Sequence, residues 1–143
     1  LLNELNALSF YDKRPPKSLG LEWVNHTILP IIESYNISTE EKIATFTEHC
    51  AQQIGKSLNN TKTSTNSLDV LVTGGGAFNG WLIDRISNHC NSKLHLPDDE
   101  LINYKEALVF ALLGVLRIRN EINVLSSVTG ASTDHSSGII FNP

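Results

Sequence analysis

With 143 residues, 41% of them hydrophobic and 18% charged, the chain has the size of one soluble globular domain and can bury a core. Its formal net charge of −4 and pI near 5.7 argue against nucleic acid as a partner, since the eleven Lys and Arg are scattered apart from Lys13, Arg14, Lys17 and the pair Arg117, Arg119. No apolar run reaches the ~18–20 residues of a membrane span, and the opening "LLNELNALSF" has neither a basic n-region nor a small-residue cleavage site, so neither a membrane nor a secretory route is expected.

The spacing of Leu1, Leu2, Leu5 and Leu8 predicts a first helix, which ends at the turn-prone "YDKRPPKSLG". The two prolines there hold their neighbourhood out of helix and predict an ordered loop. A second helix is expected from Leu21, with Val24, Ile28, Ile31 and Ile32 on one side and a bend at Pro30. Ser38-Thr39-Glu40-Glu41 spells a capping box, and Ile43, Phe46, Cys50, Ile54 and Leu58 behind it step by three and four, the signature of an amphipathic helix. "NNTKTSTNS" reads as a polar linker into a strand from Leu68 to Thr73.

After that strand come Gly74, Gly75 and Gly76, then Asn79, placed to cap a helix from Gly80 to about Cys90 with Leu82, Ile83 and Ile86 inward. "SKLHL" predicts a second short strand, and Asp98, Asp99 and Glu100 a solvated loop. The segment "NYKEALVFALLGVLRIRNE" is apolar almost all round from Ala107 to Ile118, which predicts a helix buried on several sides, central in a small domain and between lobes in a larger protein. Arg117 and Arg119 at its end read as surface or interlobe charges. The tail "SSVTGASTDHSSGIIFNP" is rich in Ser, Thr and Gly and weakly structured on its own terms. This order of elements is that of an α/β domain.

Cys50 and Cys90 lack paired spacing and read as reduced residues of the interior; the five histidines are dispersed, so no metal site is expected. Three Asn-x-Ser/Thr sequons carry no weight without a secretory signal. The chain starts at Leu1 and contains no methionine, which predicts a piece of something longer.

Three consecutive glycines cost conformational entropy, roughly 0.5–1 kcal/mol each against alanine in a regular element, so their position needs a reason. A strand, a glycine-rich turn and a helix start form a generic phosphate or nucleotide site. The Walker A pattern fails for want of a lysine. The dinucleotide fingerprint finds Gly74 and Gly76 but Asn79 where its third glycine belongs. The adenosine-binding turn of actin-like sugar kinases and heat-shock ATPases matches "VLVTGGGAFN" in every element; there bare backbone gives adenine and ribose a flat surface, and a β-carbon at Gly75 or Gly76 would take the ligand's place. A tight structural turn with Asn79 as a plain cap explains the same letters.

Four blocks together decide between these readings. "RPPKSLGLEW" (residues 14–23), "VTGGGAFN" (72–79), "YKEALVFALLGVLRIRNE" (104–121) and "SSVTGAS" (126–132) resemble, in order and spacing, the C-terminal part of the anhydro-N-acetylmuramic acid kinase family. The resemblance implies an α/β fold, an actin-like (ribonuclease H-like) ATPase lobe forming the C-terminal portion of a two-lobe sugar kinase, with residues 124–143 returning to the first lobe. It implies a cytoplasmic enzyme of peptidoglycan recycling that uses ATP, Mg²⁺ and water to open the 1,6-anhydro ring of anhydro-N-acetylmuramic acid and phosphorylate its O6. Gly74, Gly75, Gly76, Ala77 and Asn79 map onto the nucleotide-binding turn. Glu106 maps onto a glutamate near the sugar, although a carboxylate in the first turn of a helix also explains it.

Phe78 stands where many members carry histidine. Lys17 and Ser18 match the family's "PPKS" loop, while Leu19 and Leu21 replace its Thr and Arg. The family's phosphate loop and general base have no counterpart in these residues, so no catalytic residue is expected in this chain, and it should be inactive without an N-terminal lobe of the same protein. A non-catalytic nucleotide-binding or interaction module built on the same lobe is the alternative; a heat-shock or actin-type ATPase leaves three of the four blocks unexplained. The oligomeric state, a homodimer included, is left open.

Overall fold

The computed structural model describes residues 1–14, 17–61 and 69–141. Pro15, Pro16, the linker residues 62–67 and the expected strand start at Leu68 lie outside the described residues. The chain falls into two compact units, Leu1–Leu96 and Pro97–Pro143.

The first unit opens with α1 (Leu2–Asn6), which buries Leu5, and a 3-10 turn, Ser9–Asp12. The expected bend at Pro30 is a change of helix type: α2 (Leu21–Trp23) passes through a π turn, Val24–Ile28, into α3 (Leu29–Ser34). Pro30 has no N–H for the carbonyl of His26 and its ring crowds that carbonyl, and a wider turn just upstream accommodates both defects. Ile28 is buried on the expected side.

The capping box at Ser38 forms in full, with Glu41 N–H donating to Ser38 Oγ at 3.2 Å and Ser38 N–H to Glu41 Oε2 at 2.9 Å. It starts α4, Thr39–Asn60, which consumes the first two residues of the expected linker. The apolar stripe is buried only in part, with Phe46, Cys50 and Leu58 half-buried. Ile43 and Ile54 are exposed, and the buried residues are His49, Ala51 and Gly55. At Gly55 the neighbouring helix comes close: a β-carbon there would stand 2.6 Å from the His89 carbonyl oxygen.

That neighbour is α5 (Gly80–His89), the crossover between β1 (Asp69–Leu71) and β2 (Lys93–His95). The strands pair in parallel with Asp69 opposite Lys93 and Leu71 opposite His95. They form a small βαβ unit, as the α/β reading requires. Ile86 is buried and Leu82 and Ile83 half-buried, as the sequence indicates.

In the second unit, Asp98 is no loop residue. Its Oδ1 accepts from Leu101 N–H at 2.8 Å and caps α6, Asp99–Ile118, whose first turn holds Asp99 and Glu100. At the far end Asn120 takes the left-handed conformation (φ 55), while Glu121 N–H reaches Leu116 O and Asn120 N–H reaches Arg117 O, a Schellman stop. Among the described residues α6 is not buried on several sides: Ile102 is its buried residue, and Phe110 and Ile118 are each 70% exposed. The tail is better ordered than its composition suggests. The Asn123 side chain bonds the carbonyls of Leu113 and Ser137 and accepts from Ser137 N–H, and Val124 bridges His135. Asp134 accepts from both N–H and Oγ–H of Ser126 at the start of α7 (Ser126–Thr129).

Candidate functional site

At the carboxyl end of β1 the pairing runs one residue further, Val72 N–H donating to His95 O at 2.9 Å, and the chain then turns. Gly74 has φ 83 and ψ 172, a region open in practice to glycine alone, so its identity is a demand of the backbone. Gly75–Phe78 form one 3-10 turn, with Ala77 N–H donating to Gly74 O and Ala77 buried. Asn79 then caps α5 through Oδ1, which accepts from Leu82 N–H at 3.0 Å.

Gly75 and Gly76 are different from Gly74. Neither has a positive φ, and a β-carbon on Gly75 would meet nothing within 4 Å, one on Gly76 only Leu82 Cδ2 at 3.9 Å. Packing within the described residues therefore gives no reason for glycine at these two positions. Their N–H groups have no partner among the described residues, and both are exposed. The Nδ2 of Asn79 is likewise free of partners among the described residues, because the cap uses only its oxygen. The arrangement is a bare patch of backbone carrying unused donors at the strand ends of a parallel sheet, where α/β folds place ligands.

Each of the other expected site residues is described within its own unit. Glu106 belongs to the second unit; it is the eighth residue of α6 rather than a first-turn carboxylate, and it is exposed without a bonded partner among the described residues. Lys17 is a clip: its Nζ donates to the carbonyls of Tyr11 (2.9 Å) and Phe10 (3.3 Å) and lies 5.0 Å from the Phe10 ring centre. Arg117 donates to Gly138 O and Arg119 pairs with Glu121. Cys50 and Cys90 are free and only half-buried, and burial raises the Cys50 thiol above its ordinary pKa, which disfavours the thiolate.

A polar network that the sequence reading missed joins α1 and the 3-10 turn to α4, and α4 to α5. Glu48 on α4 accepts from Arg85 Nε and from His89 Nε2 on α5, each at 2.6 Å, and from Gln52 Nε2 at 2.8 Å. Because an ionised carboxylate only accepts, Gln52 must present its oxygen to Asn6 Nδ2 (2.7 Å). Asn6 Oδ1 then accepts from His49 Nδ1 (2.7 Å), and His49 Nε2 is left to accept from Tyr11 O–H (2.8 Å). Burial lowers the His49 pKa, which agrees with a neutral ring used in this way. Glu48, with Arg85 as the largest cause, is held down at about 2. A signal for half of it exists: Glu48 and Gln52, like Arg85 and His89, are one helical turn apart and share a face.

Comparison with known proteins follows the same outline. The sequence model of the family described as anhydro-N-acetylmuramic acid kinase matches residues 1–143. Among curated relatives, the anhydro-N-acetylmuramic acid kinase of Francisella tularensis subsp. novicida is 33% identical over 138 residues, covering 93% of this chain and 36% of its own length. Those of Saccharophagus degradans (32%; 100% and 39%) and Actinobacillus pleuropneumoniae serotype 3 (34%; 99% and 39%) align to the same extent. The chain thus spans less than half the length of the curated relatives it matches.

Proposed function

This chain belongs to the anhydro-N-acetylmuramic acid kinase family, and from that premise we propose that it is the C-terminal, actin-like lobe of an ATP-dependent kinase acting in the cytoplasm. The whole protein opens the anhydro ring of anhydro-N-acetylmuramic acid and phosphorylates its O6 in peptidoglycan recycling. ATP, with Mg²⁺ on its phosphates, supplies the phosphoryl group. In this reading Gly74, Gly75, Gly76 and Ala77 give the adenosine a flat backbone surface. Asn79 both caps α5 and offers its amide N–H, and Glu106 faces the sugar.

Phosphoryl transfer depends on parts held in place together, and the phosphate loop and general base are expected in the remainder of the protein. The isolated chain is therefore inactive. That remainder, an N-terminal lobe, also suits the apolar surface of α6, whose Leu108, Phe110 and Leu112 are more than half exposed here. A non-catalytic module would explain the turn but not a family match that runs the length of the chain.

The observation that carries the reading is the unexplained bareness of Gly75 and Gly76. Its test is Gly75→Ala and Gly76→Ala in the full-length protein. The fold has room for both methyl groups and the backbone allows them, so stability should hold or rise by about 0.4–1 kcal/mol through the unfolded state. The KM for ATP should rise roughly tenfold or more, equivalent to about 1.4 kcal/mol of lost binding. Unchanged ATP kinetics in both variants would remove the turn from the nucleotide site. Gly74→Ala is the control, expected to destabilise by about 1–3 kcal/mol from backbone strain alone.

A further inference from the structure

Beside the last two turns of α4 lies a cavity of about 550 Å³ that the kinase reading does not use. Phe10, Lys13 and Lys17 line one side and Lys56, Ser57 and Asn60 the other. In a chain of net charge −4, three ammonium groups share this one space.

Two features could balance them. The end of α4 contributes about half a negative charge, and its last turn carries no basic residue of its own. Asp12 approaches Lys56 at 3.7 Å, with 80% and 57% of the two side chains in solvent, which makes a weak pair. Even counted in full, these leave the cavity at about +1.5. Lys17 is also pre-positioned: two of its three donors are fixed on the carbonyls of Phe10 and Tyr11, and its third N–H has no hydrogen-bond partner among the described residues. The hydroxyl of Ser57 and the amide of Asn60 are without partners among the described residues and add neutral donors opposite the lysines.

We propose that this cavity binds a phosphate group, free or carried on a small hydroxylated metabolite, at a site separate from the glycine turn. Lys13 and Lys56 supply charge, Lys17 a fixed donor, and Ser57 and Asn60 hydrogen bonds to phosphate or hydroxyl oxygens. Point-charge ammonium groups on one side with neutral donors on the other suit a small oxyanion.

The test is a titration of the full-length protein with inorganic phosphate, and separately with glucose 6-phosphate, at constant ionic strength, following the backbone amides of Ser57 and Asn60 by NMR. Saturable shifts at millimolar ligand are expected, with the Gly75 and Gly76 amides still under inorganic phosphate. Affinity should fall roughly tenfold in Lys13→Gln/Lys56→Gln. Tighter binding of the sugar phosphate identifies the metabolite form, and equal or weaker binding the free ion. If the double variant misfolds by circular dichroism, Lys56→Gln alone, which gives up only an exposed pair, should still lower the affinity. Shifts that do not saturate, that chloride reproduces, or that Lys56→Gln leaves unchanged would overturn the proposal and leave the lysines as counter-charges to the helix end.

Discussion

Arg85 Nε and Glu48 Oε2 meet at 2.6 Å and tie α5, the helix that begins at the glycine turn, to the middle of α4. Glu48→Gln keeps the shape and removes the charge, so Arg85 and His89 lose an ionised acceptor. We expect a loss of about 1–2 kcal/mol in urea unfolding at neutral pH, below the figure for a fully buried charge because a third of the Arg85 side chain remains in water. The folded-state pKa of Glu48, about 2, lies below its ordinary 4.5. The stabilisation is therefore complete above pH 4.5 and is lost as pH falls from there towards 2. The difference between the natural protein and Glu48→Gln should shrink over that interval; a constant gap would mean that the carboxylate's charge is not what matters.

Asn79 has two separable jobs in the proposed reading, and two substitutions separate them. Asn79→Ala removes the acceptor for Leu82 N–H and should cost about 0.5–2 kcal/mol of stability together with ATP affinity. Asn79→Asp still caps, with a charge the helix start favours, but has no amide N–H and puts a negative charge beside the nucleotide. It should unfold like the natural protein and still show a raised KM for ATP. Equal ATP kinetics in Asn79→Asp would leave Asn79 as a cap alone.

Much of this fold is legible in the letters because it is written locally. The capping box at Ser38, the cap at Asn79, the strand before the glycines and the short strand after α5 each depend on residues within a few positions of one another, and each is found. The turn's composition marks Gly75 and Gly76 as candidates, but only coordinates distinguish them from Gly74, since φ and free space are not properties of a letter. The buried face of α4 is hidden for a related reason. Close packing against His89 demands a glycine at position 55, while Ile43 and Ile54 stay exposed, so hydrophobicity finds only the half-buried part of the contact, Phe46, Cys50 and Leu58. The network from Tyr11 to Arg85 joins residues 37 to 47 positions apart at several of its links, beyond the reach of any local pattern.

Gly55→Ala sets two effects against each other. Alanine in a helix interior gains about 1 kcal/mol over glycine, but here its β-carbon would stand 2.6 Å from His89 O and 2.9 Å from His89 C, both backbone atoms that move only with α5. Asn59 Nδ2 holds that same carbonyl at 2.9 Å, so a shift of α5 also strains this bond. Crowding should win, with a net loss of about 1–3 kcal/mol in thermal unfolding. A stabilised variant would show that α4 and α5 are further apart than described.

Phe110 tests whether the remainder of the protein covers α6. In this chain the residue is 70% exposed, so within these residues alone Phe110→Gln should change stability by no more than about 0.5 kcal/mol. If an N-terminal lobe packs on that face, the same substitution in the full-length protein removes a buried aromatic ring and should cost about 1.5–3 kcal/mol. Hydrogen exchange of the α6 amides gives an independent reading, because covering the helix should slow exchange along Leu108 to Val115. A full-length Phe110→Gln protein as stable as its parent, with fast exchange across that stretch, would place the interlobe surface elsewhere and leave the apolar girdle of α6 to association between copies.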